Sequence, residues 1–240
     1  MPLSLNSQSV VHVPIHGTID MGLPNYIQRA VTIAESDSIE FIIFDIDTFG
    51  GRVDAATKIK DAILGSEIRT IAFINRRAIS AGALISLSCD SIYMTPGATI
   101  GAATAVDAEG EKASEKVISY MREEMAASAE ANGRSREIVQ AMVDEEIEID
   151  FILSIDKDTL NSGDIEGFNK GKLITLSTDL ALQLGIADKQ VESFPLLLDH
   201  LGIHEDNVVK IEETWSELLV RFLTNPTFAP MAFNAITISL

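Results

Sequence analysis

Apolar residues in the first hundred positions of this 240-residue chain alternate between continuous runs and helical spacing. The runs at residues 10–15, 41–46 and 70–74 predict strands that are covered on both faces of a sheet. Between them, apolar residues recur every three or four positions over residues 23–36 and 53–64, which predicts two helices. This alternation with short connections predicts parallel β-α-β units with right-handed crossovers.

The remainder of the chain continues the alternation with shorter elements. We predict strands over residues 91–94, 172–176 and 208–211, a strand or turn over 99–102, and helices over 116–132, 135–143, 178–184, 194–201 and 214–223. A polar, glycine-containing stretch at residues 107–116 predicts a mobile loop. The acidic stretch at residues 144–150 is interpreted as a solvated turn rather than a metal site. The predicted class is α/β, with a mostly parallel sheet flanked by helices.

Composition narrows the possible partners. The chain carries 36 acidic and 18 basic residues and a formal net charge of −18, which argues against nucleic acid as a partner and against adsorption to an anionic membrane. Its 46% hydrophobic content fits a globular domain. The single cysteine, Cys89, excludes an internal disulfide and lies in an apolar stretch, which is typical of a small core residue.

Two small-residue turns follow predicted strands, where open α/β folds place their functional sites. Ser80 lies between the strand at residues 70–74 and an apolar helical pattern, so it is a candidate nucleophile. Gly50 and Gly51 follow the preceding strand, and their backbone, together with the Ala81 N–H, could form an oxyanion hole. An N-capping serine and a plain tight turn are the commoner explanations of these two features.

A nucleophilic serine needs a base. The chain has four histidines, none with a context that marks it as a partner: His12, His16, His200 and His204. Lys112 and Lys116 lie near the start of the predicted helix at residues 116–132, one turn apart, so they could share a helix face. Either lysine could serve as a base if burial lowered its pKa, but both could equally be solvent-exposed.

Seven segments resemble, in order, the NfeD-type membrane serine proteases of the ClpP/crotonase superfamily. They are residues 13–20, 47–56, 79–83, 94–102, 171–176, 181–188 and 215–224. The resemblance covers roughly residues 9–226. It implies a fold of repeated β-β-α units with a mostly parallel sheet, and a serine peptidase that needs no metal and no cofactor.

The resemblance also assigns roles to single residues. It implies a catalytic dyad in which Ser80 is the nucleophile and Lys116 the general base, with Lys112 as the fallback base. The oxyanion-hole segment, which also pairs with the substrate backbone, corresponds to Gly50, Gly51 and Ala81. The implied targets are apolar segments of membrane-associated proteins, including stomatin-like partners, and the implied assembly is a homodimer or larger homo-oligomer.

The sequence departs from the family at three points. Phe49 stands where the family usually has proline, which would stiffen that turn. A secretory signal and membrane spans after Leu223 are also missing. We therefore expect a disordered segment at residues 1–8, a protease domain at 9–204, and a strand, helix and apolar tail at 205–240. The implied parent is a membrane protein with an extracytoplasmic catalytic domain, and a natural soluble form is the alternative.

Two other functions remain open. A crotonase-like acyl-CoA enzyme would use the same paired backbone N–H groups without Ser80 or Lys116, although the negative charge disfavours a phosphate-rich ligand. A catalytically silent domain that binds a stomatin-like protein is the other alternative, and Phe49 keeps it open.

Overall fold

A computed structural model describes residues 9–37, 39–107, 110–153, 159–161 and 164–224. The strands are β1 (Val10–Ile19), β2 (Phe41–Gly51), β3 (Arg69–Ile79), β4 (Ser91–Met94), β5 (Thr99–Gly101), β6 (Phe151–Leu153), β7 (Thr159–Asn161), β8 (Thr175–Ser177), β9 (Lys189–Gln190) and β10 (Val208–Lys210). The helices are α1 (Leu23–Ser36), α2 (Val53–Leu64), α3 (Ala81–Leu87), α4 (Glu115–Ala131), α5 (Arg136–Val143), α6 (Thr178–Gln183), α7 (Phe194–Leu201) and α8 (Trp215–Thr224).

The main sheet is mostly parallel. Its strands follow the order β10-β1-β2-β3-β4-β9, and every pair along that path is parallel. Strand β3 also pairs near its carboxyl end with β5, which in turn pairs antiparallel with β8. This topology confirms the predicted α/β class. Because β10 pairs with β1, residues 208–210 belong to this same sheet.

Hydrophobic cover on both faces explains why the central strands read as continuous apolar runs. Residues 41–46 of β2 are all buried. On one face, Ile42, Phe44 and Ile46 join a large core that includes residues of α1, α2, α3, α4 and α5. On the other face, Phe41 and Ile43 pack in a smaller cluster with Leu197 and Leu198 of α7. Burial of this area is the main stabilising term for the fold.

The three central strands are longer than their apolar runs predicted. Strands β1, β2 and β3 continue past residues 15, 46 and 74 to Ile19, Gly51 and Ile79. Neighbouring strands keep these extensions paired across irregularities in register, one between His16 and Thr18 and another between Ile46 and Thr48. The extensions carry both small-residue turns to one edge of the sheet.

Other boundaries also needed correction. The strand predicted over residues 172–176 is wrong at its start, because β8 begins at Thr175. Strands β6, β7 and β9 were not predicted, since two or three residues are too few for a periodic signal. The polar stretch after residue 106 includes a hairpin, in which Val106 bridges Lys112 and the Ala113 N–H donates to Ala105 O at 3.0 Å.

The acidic stretch is more structured than a solvated turn. Asp144 is buried and paired with Arg122, which neutralises it. Among the residues that the structure describes, no group of acidic, histidine or cysteine side chains could hold a metal ion. Within the same residues no helix has the length and hydrophobicity to cross a membrane. The predictions for residues 1–8 and for the apolar tail after Thr224 lie outside the described part of the chain.

Candidate active site

Ser80 occupies a strained turn between β3 and α3. Its φ of 56° and ψ of −119° lie in a region that residues with a Cβ rarely adopt. Backbone bonds hold the turn: the Ser80 N–H donates to Gly101 O at 3.0 Å, and Ser80 O accepts from the Ala83 N–H at 2.9 Å. Strain that the surroundings enforce is characteristic of functional positions, including the strand-to-helix turns that present a nucleophilic serine.

The N-cap explanation does not fit Ser80. It stands at the N-cap position of α3, but its side chain makes no capping hydrogen bond. By contrast, the hydroxyl oxygens of Ser135, Ser177 and Ser193 accept backbone N–H groups at the starts of α5, α6 and α7. The Ser80 hydroxyl is therefore not committed to the helix and is available for chemistry.

The glycine turn lies directly against this serine. Gly50 has a φ of +105°, and a Cβ at that position would lie 2.6 Å from Ser80 Cβ and 3.1 Å from Ser80 Oγ. On α3, a Cβ at Gly82 would lie 2.5 Å from Thr48 Cγ2. The two turns therefore pack closely, with Gly50 against Ser80 and Gly82 against the Thr48 methyl group, and side chains at positions 50 and 82 would obstruct this packing.

Thr48 was not singled out from the sequence, and it organises the glycine turn. Its Oγ1 donates to Gly17 O at 2.5 Å and accepts the Gly50 N–H at 2.8 Å. The Gly50 N–H is therefore engaged, whereas the Ala81 N–H, the first of α3, has no acceptor among the described residues. The position of Thr48 two residues before a pair of glycines was the sequence signal that could have indicated it.

The two candidate lysines occupy different elements. Lys116 is exposed in the first turn of α4, and its amine makes no hydrogen bond to Ser80 in the described structure. Lys112 lies in the hairpin before α4, so the predicted shared helix face is wrong, because α4 begins at Glu115. The Lys112 amine is 2.9 Å from Glu145 Oε1, and this hydrogen bond raises the pKa of Lys112.

An open groove of about 860 Å³ begins at the second glycine of the turn. Its walls come from the ends of β1 and β2, the start of α2, the first residues of the hairpin, and α4. The lining includes Gly51, Arg52, Val53, Val106 and Tyr120. Val106 and Tyr120 are 61% and 45% exposed, so the groove offers apolar surface to a ligand. The Tyr120 hydroxyl lies 3.3 Å from Thr57 Oγ1 and links α4 to α2 across the groove.

Phe49 stands between two smaller clefts beside the same turn, of about 420 and 330 Å³. Its ring is 73% exposed, and the Arg77 guanidinium carbon lies 4.3 Å from the ring centroid. Arg77 Nε in turn lies 3.1 Å from Asp47 Oδ1. Phe49 lacks the rigid backbone that proline would give this turn, but its ring packs against Arg77, which Asp47 holds in place.

No histidine is placed as a partner of Ser80. His12 and His16 each approach Asp45, at 3.4 and 3.3 Å. His200 contacts Lys189, and His204 pairs with Asp206. Within the described residues none of these four rings hydrogen bonds to Ser80.

The fold is that of ClpP-like proteases. The chain superposes on 1510-N from Pyrococcus horikoshii, a membrane-bound stomatin-specific protease solved as a Lys→Ala mutant with a substrate peptide. That match has a TM-score of 0.70 and 23% identity and covers 92% of this chain and 100% of that one. ClpP1 from Listeria monocytogenes matches with a TM-score of 0.54 and 22% identity, over 77% of this chain and 92% of that one.

Sequence comparison identifies the family. The model of the NfeD1b N-terminal domain matches residues 9–211, and the chain belongs to this family. Membrane protein NfeD1b of Bacillus subtilis is 33% identical over 97% of this chain and 51% of its own length. Membrane-bound protease PH1510 of Pyrococcus horikoshii is 30% identical over 60% of this chain and 34% of its own length. The chain thus spans about half or less of these curated relatives.

Proposed function

We propose that this domain is a serine endopeptidase in which Ser80 is the nucleophile and Lys116 the general base. The observation that carries the proposal is the Ser80 turn, where a strained serine with an uncommitted hydroxyl lies against the glycine turn. The Ser80 hydroxyl makes no capping hydrogen bond to α3, so it is free to act as the nucleophile. Relatives that are proteases support the same reaction class.

The proposed reaction follows from the groups around Ser80. Neutral Lys116 accepts the Ser80 proton as Oγ attacks the peptide carbonyl carbon, and the N–H groups of Ala81 and Gly51 stabilise the oxyanion. We assign this role to Gly51 because the Gly50 N–H already donates to Thr48. Protonated Lys116 then gives its proton to the leaving amine, the C–N bond breaks, and water hydrolyses the Ser80 ester with Lys116 again acting as base.

The position of Lys116 on α4 favours it over Lys112. Lys116 and Tyr120 are four residues apart on one helix, so their side chains project on the same side. Tyr120 lines the groove that begins at Gly51, which puts the start of α4 on the groove side. Lys112 is held by Glu145, whose hydrogen bond favours the charged form that cannot act as a base. Substrate binding in the groove would then bring Lys116 to Ser80.

The groove also indicates the substrate. An extended peptide could pair with the backbone after Gly51 and lay an apolar side chain against Val106 and Tyr120. We therefore propose apolar segments of membrane-associated proteins, including stomatin-like partners, as targets, because the 1510-N relative is described as stomatin-specific. A membrane-bound parent with an extracytoplasmic catalytic domain, and assembly as a homodimer or larger oligomer, remain part of this proposal.

Two observations favour a second candidate, a silent domain that binds a stomatin-like protein. Ser80 and Lys116 are not hydrogen bonded to each other in the described structure, and exposed Phe49 offers a binding surface beside the turn. The acyl-CoA alternative gains no such support, because the chain carries a net charge of −18.

The proposal is tested by cleavage of peptides that contain an apolar run, with wild type, Ser80→Ala, Lys116→Met and Lys112→Met. We expect Ser80→Ala and Lys116→Met to lose at least about a thousandfold in kcat/KM. Lys112→Met is the matched control and should stay within about threefold, because it lies outside the proposed dyad.

Two outcomes would contradict the dyad. Activity in Lys116→Met would show that another residue is the base, and activity in Ser80→Ala would show that Ser80 is not the nucleophile. If folded wild type cleaves no peptide but binds a stomatin-like protein as tightly as Ser80→Ala does, the silent binding domain is the better description.

A further inference from the structure

Helix α8 presents a stripe of large apolar side chains to solvent. Trp215, Leu218, Leu219 and Leu223 are 78%, 52%, 46% and 42% exposed. Their spacing of i, i+3, i+4 and i+8 puts them on one face of the helix, the pattern that normally faces a hydrophobic core. In α8 that face points away from the body of the domain.

The polar side of α8 is the side that is docked. Glu217 accepts two hydrogen bonds from Arg29 of α1, at 2.9 and 2.7 Å. Arg221 pairs with Asp20 at 2.9 Å and donates to Thr18 O at 3.0 Å. Bidentate and multiple contacts of this kind fix the rotation of a helix about its axis. The outward direction of the apolar stripe is therefore determined by the ion pairs beneath it.

Close packing reinforces this orientation. A Cβ at Gly22 would lie 2.5 Å from Arg221 Cγ and 3.0 Å from the Arg221 backbone nitrogen, so the absence of a side chain lets α8 approach the start of α1. A rotation that buried the stripe would break the Arg29 and Asp20 contacts and put Leu218 and Leu219 where charged partners now lie.

We propose that α8 lies flat on a phospholipid bilayer, with Trp215, Leu218, Leu219 and Leu223 inserted at the interface. The stripe carries no charge, and the charged residues of α8, Glu217 and Arg221, are paired with the body of the domain. Residues 225–240, which follow the helix, contain no Asp, Glu, Lys or Arg. Tryptophan and leucine on one face of a short helix suit the headgroup boundary.

The net charge of the chain favours a zwitterionic over an anionic bilayer. Because the chain carries a net charge of −18, an anionic surface would repel it, and a zwitterionic surface would not. The curated relatives are about twice the length of this chain and are named as membrane or membrane-bound proteins, which is consistent with a bilayer beside this domain. The proposal does not depend on whether Ser80 cleaves peptides.

A second copy of the chain is a less suitable occupant. Helix α8 has 10 residues, so its length is about 15 Å at 1.5 Å per residue. One face of such a helix offers a few hundred Å², whereas a stable interface buries about 800 Å² on each partner.

The chain provides its own reporter, because Trp215 is the only tryptophan. The full 240-residue protein is mixed with phosphatidylcholine vesicles, and binding is followed by flotation and by Trp215 emission. We expect wild type to float with the vesicles, its emission to shift to shorter wavelength, and lipids brominated near the headgroup to quench it. Replacement of two stripe residues, Leu218→Glu with Leu219→Glu, should weaken partitioning at least about tenfold.

The matched control changes the same number of leucines elsewhere. Leu64→Glu with Leu196→Glu alters side chains that are 40% and 48% exposed on α2 and α7 and gives the same net charge. It should partition within about twofold of wild type. Failure of wild type to bind overturns the proposal, as does equal binding by the α8 double variant. A concentration-dependent emission shift without vesicles would identify a second copy as the occupant instead.

Discussion

Gly50 and Ser80 are in direct contact, so that a Cβ at position 50 would lie 2.6 Å from the Cβ of the serine. Gly50 lies near the end of β2 and Ser80 directly follows β3, and the contact exists because both strands extend beyond their apolar runs and stay paired as far as Thr48 and Ala78. The candidate nucleophile Ser80 and the glycine turn are therefore held next to each other, with no side chain between them.

The first prediction concerns this contact. If the proposed mechanism holds, Gly50→Ala should lower kcat by about a hundredfold or more, because the methyl group would displace Ser80 relative to the proposed oxyanion donors. It should also destabilise the fold, since residue 50 has a φ of +105°. Peptide cleavage and urea unfolding measure the two effects. Gly133→Ala is the control, because Gly133 has a φ of +71° with no atom within 4 Å of a Cβ, and it should lose stability but retain activity.

The second prediction concerns strain at Ser80. Ser80→Gly should be about 1 kcal/mol more stable than wild type, because glycine adopts positive φ without the cost that a Cβ imposes. Ser80→Ala keeps the Cβ and should show no such gain, although both variants should be inactive. Unfolding free energies from urea titrations compare the three proteins. Equal stability of Ser80→Gly and Ser80→Ala would show that the turn stores no strain.

The third prediction separates the two functions of the Thr48 side chain. Thr48→Val keeps the shape but leaves the Gly50 N–H and Gly17 O without their hydroxyl partner, which should cost about 1–3 kcal/mol and lower kcat. Thr48→Ser keeps the hydroxyl and loses only the methyl group against Gly82, so it should retain most of the activity. Thermal unfolding and peptide cleavage check the order. Thr48→Val as active as Thr48→Ser would exclude the hydroxyl from the site.

The sequence predicted the strands and helices whose positions depend on local patterns of apolar and small residues. Runs such as residues 41–46 predicted strands that are buried on both faces, and the small residues after them predicted that the two candidate turns meet at one edge of the sheet, because parallel strands end together. Helices α1, α2 and α7 matched their predicted bounds, since proline, glycine or a clear apolar spacing delimits them.

Contacts between distant segments were not predictable in the same way. The Thr48 hydroxyl is a site feature only because Gly17 lies on the neighbouring strand. Lys112 and Lys116 looked equivalent by spacing, yet a hairpin holds the first against Glu145 and leaves the second on α4. Asp144 was interpreted as solvated because its partner, Arg122, lies on α4 and is distant in sequence. Each case depends on tertiary pairing that periodicity does not encode.

The last prediction concerns the ion pair that fixes α8. The Arg29 hydrogen bond lowers the pKa of Glu217 to about 2, from an ordinary 4.5. Because the pKa of Glu217 is lower in the folded than in the unfolded state, ionised Glu217 stabilises the fold. This contribution is complete above about pH 4.5 and is lost as the pH falls through about 2. Glu217→Gln should therefore cost about 1–2 kcal/mol of unfolding free energy at pH 6, after allowance for solvent screening, and clearly less at pH 3.

Urea unfolding of wild type and Glu217→Gln at the two pH values measures the difference. Glu130→Gln, from the exposed pair with Arg136, is the control and should cost little at either pH. A cost that is the same at pH 6 and pH 3 would mean that Arg29 does not hold Glu217 in its charged form.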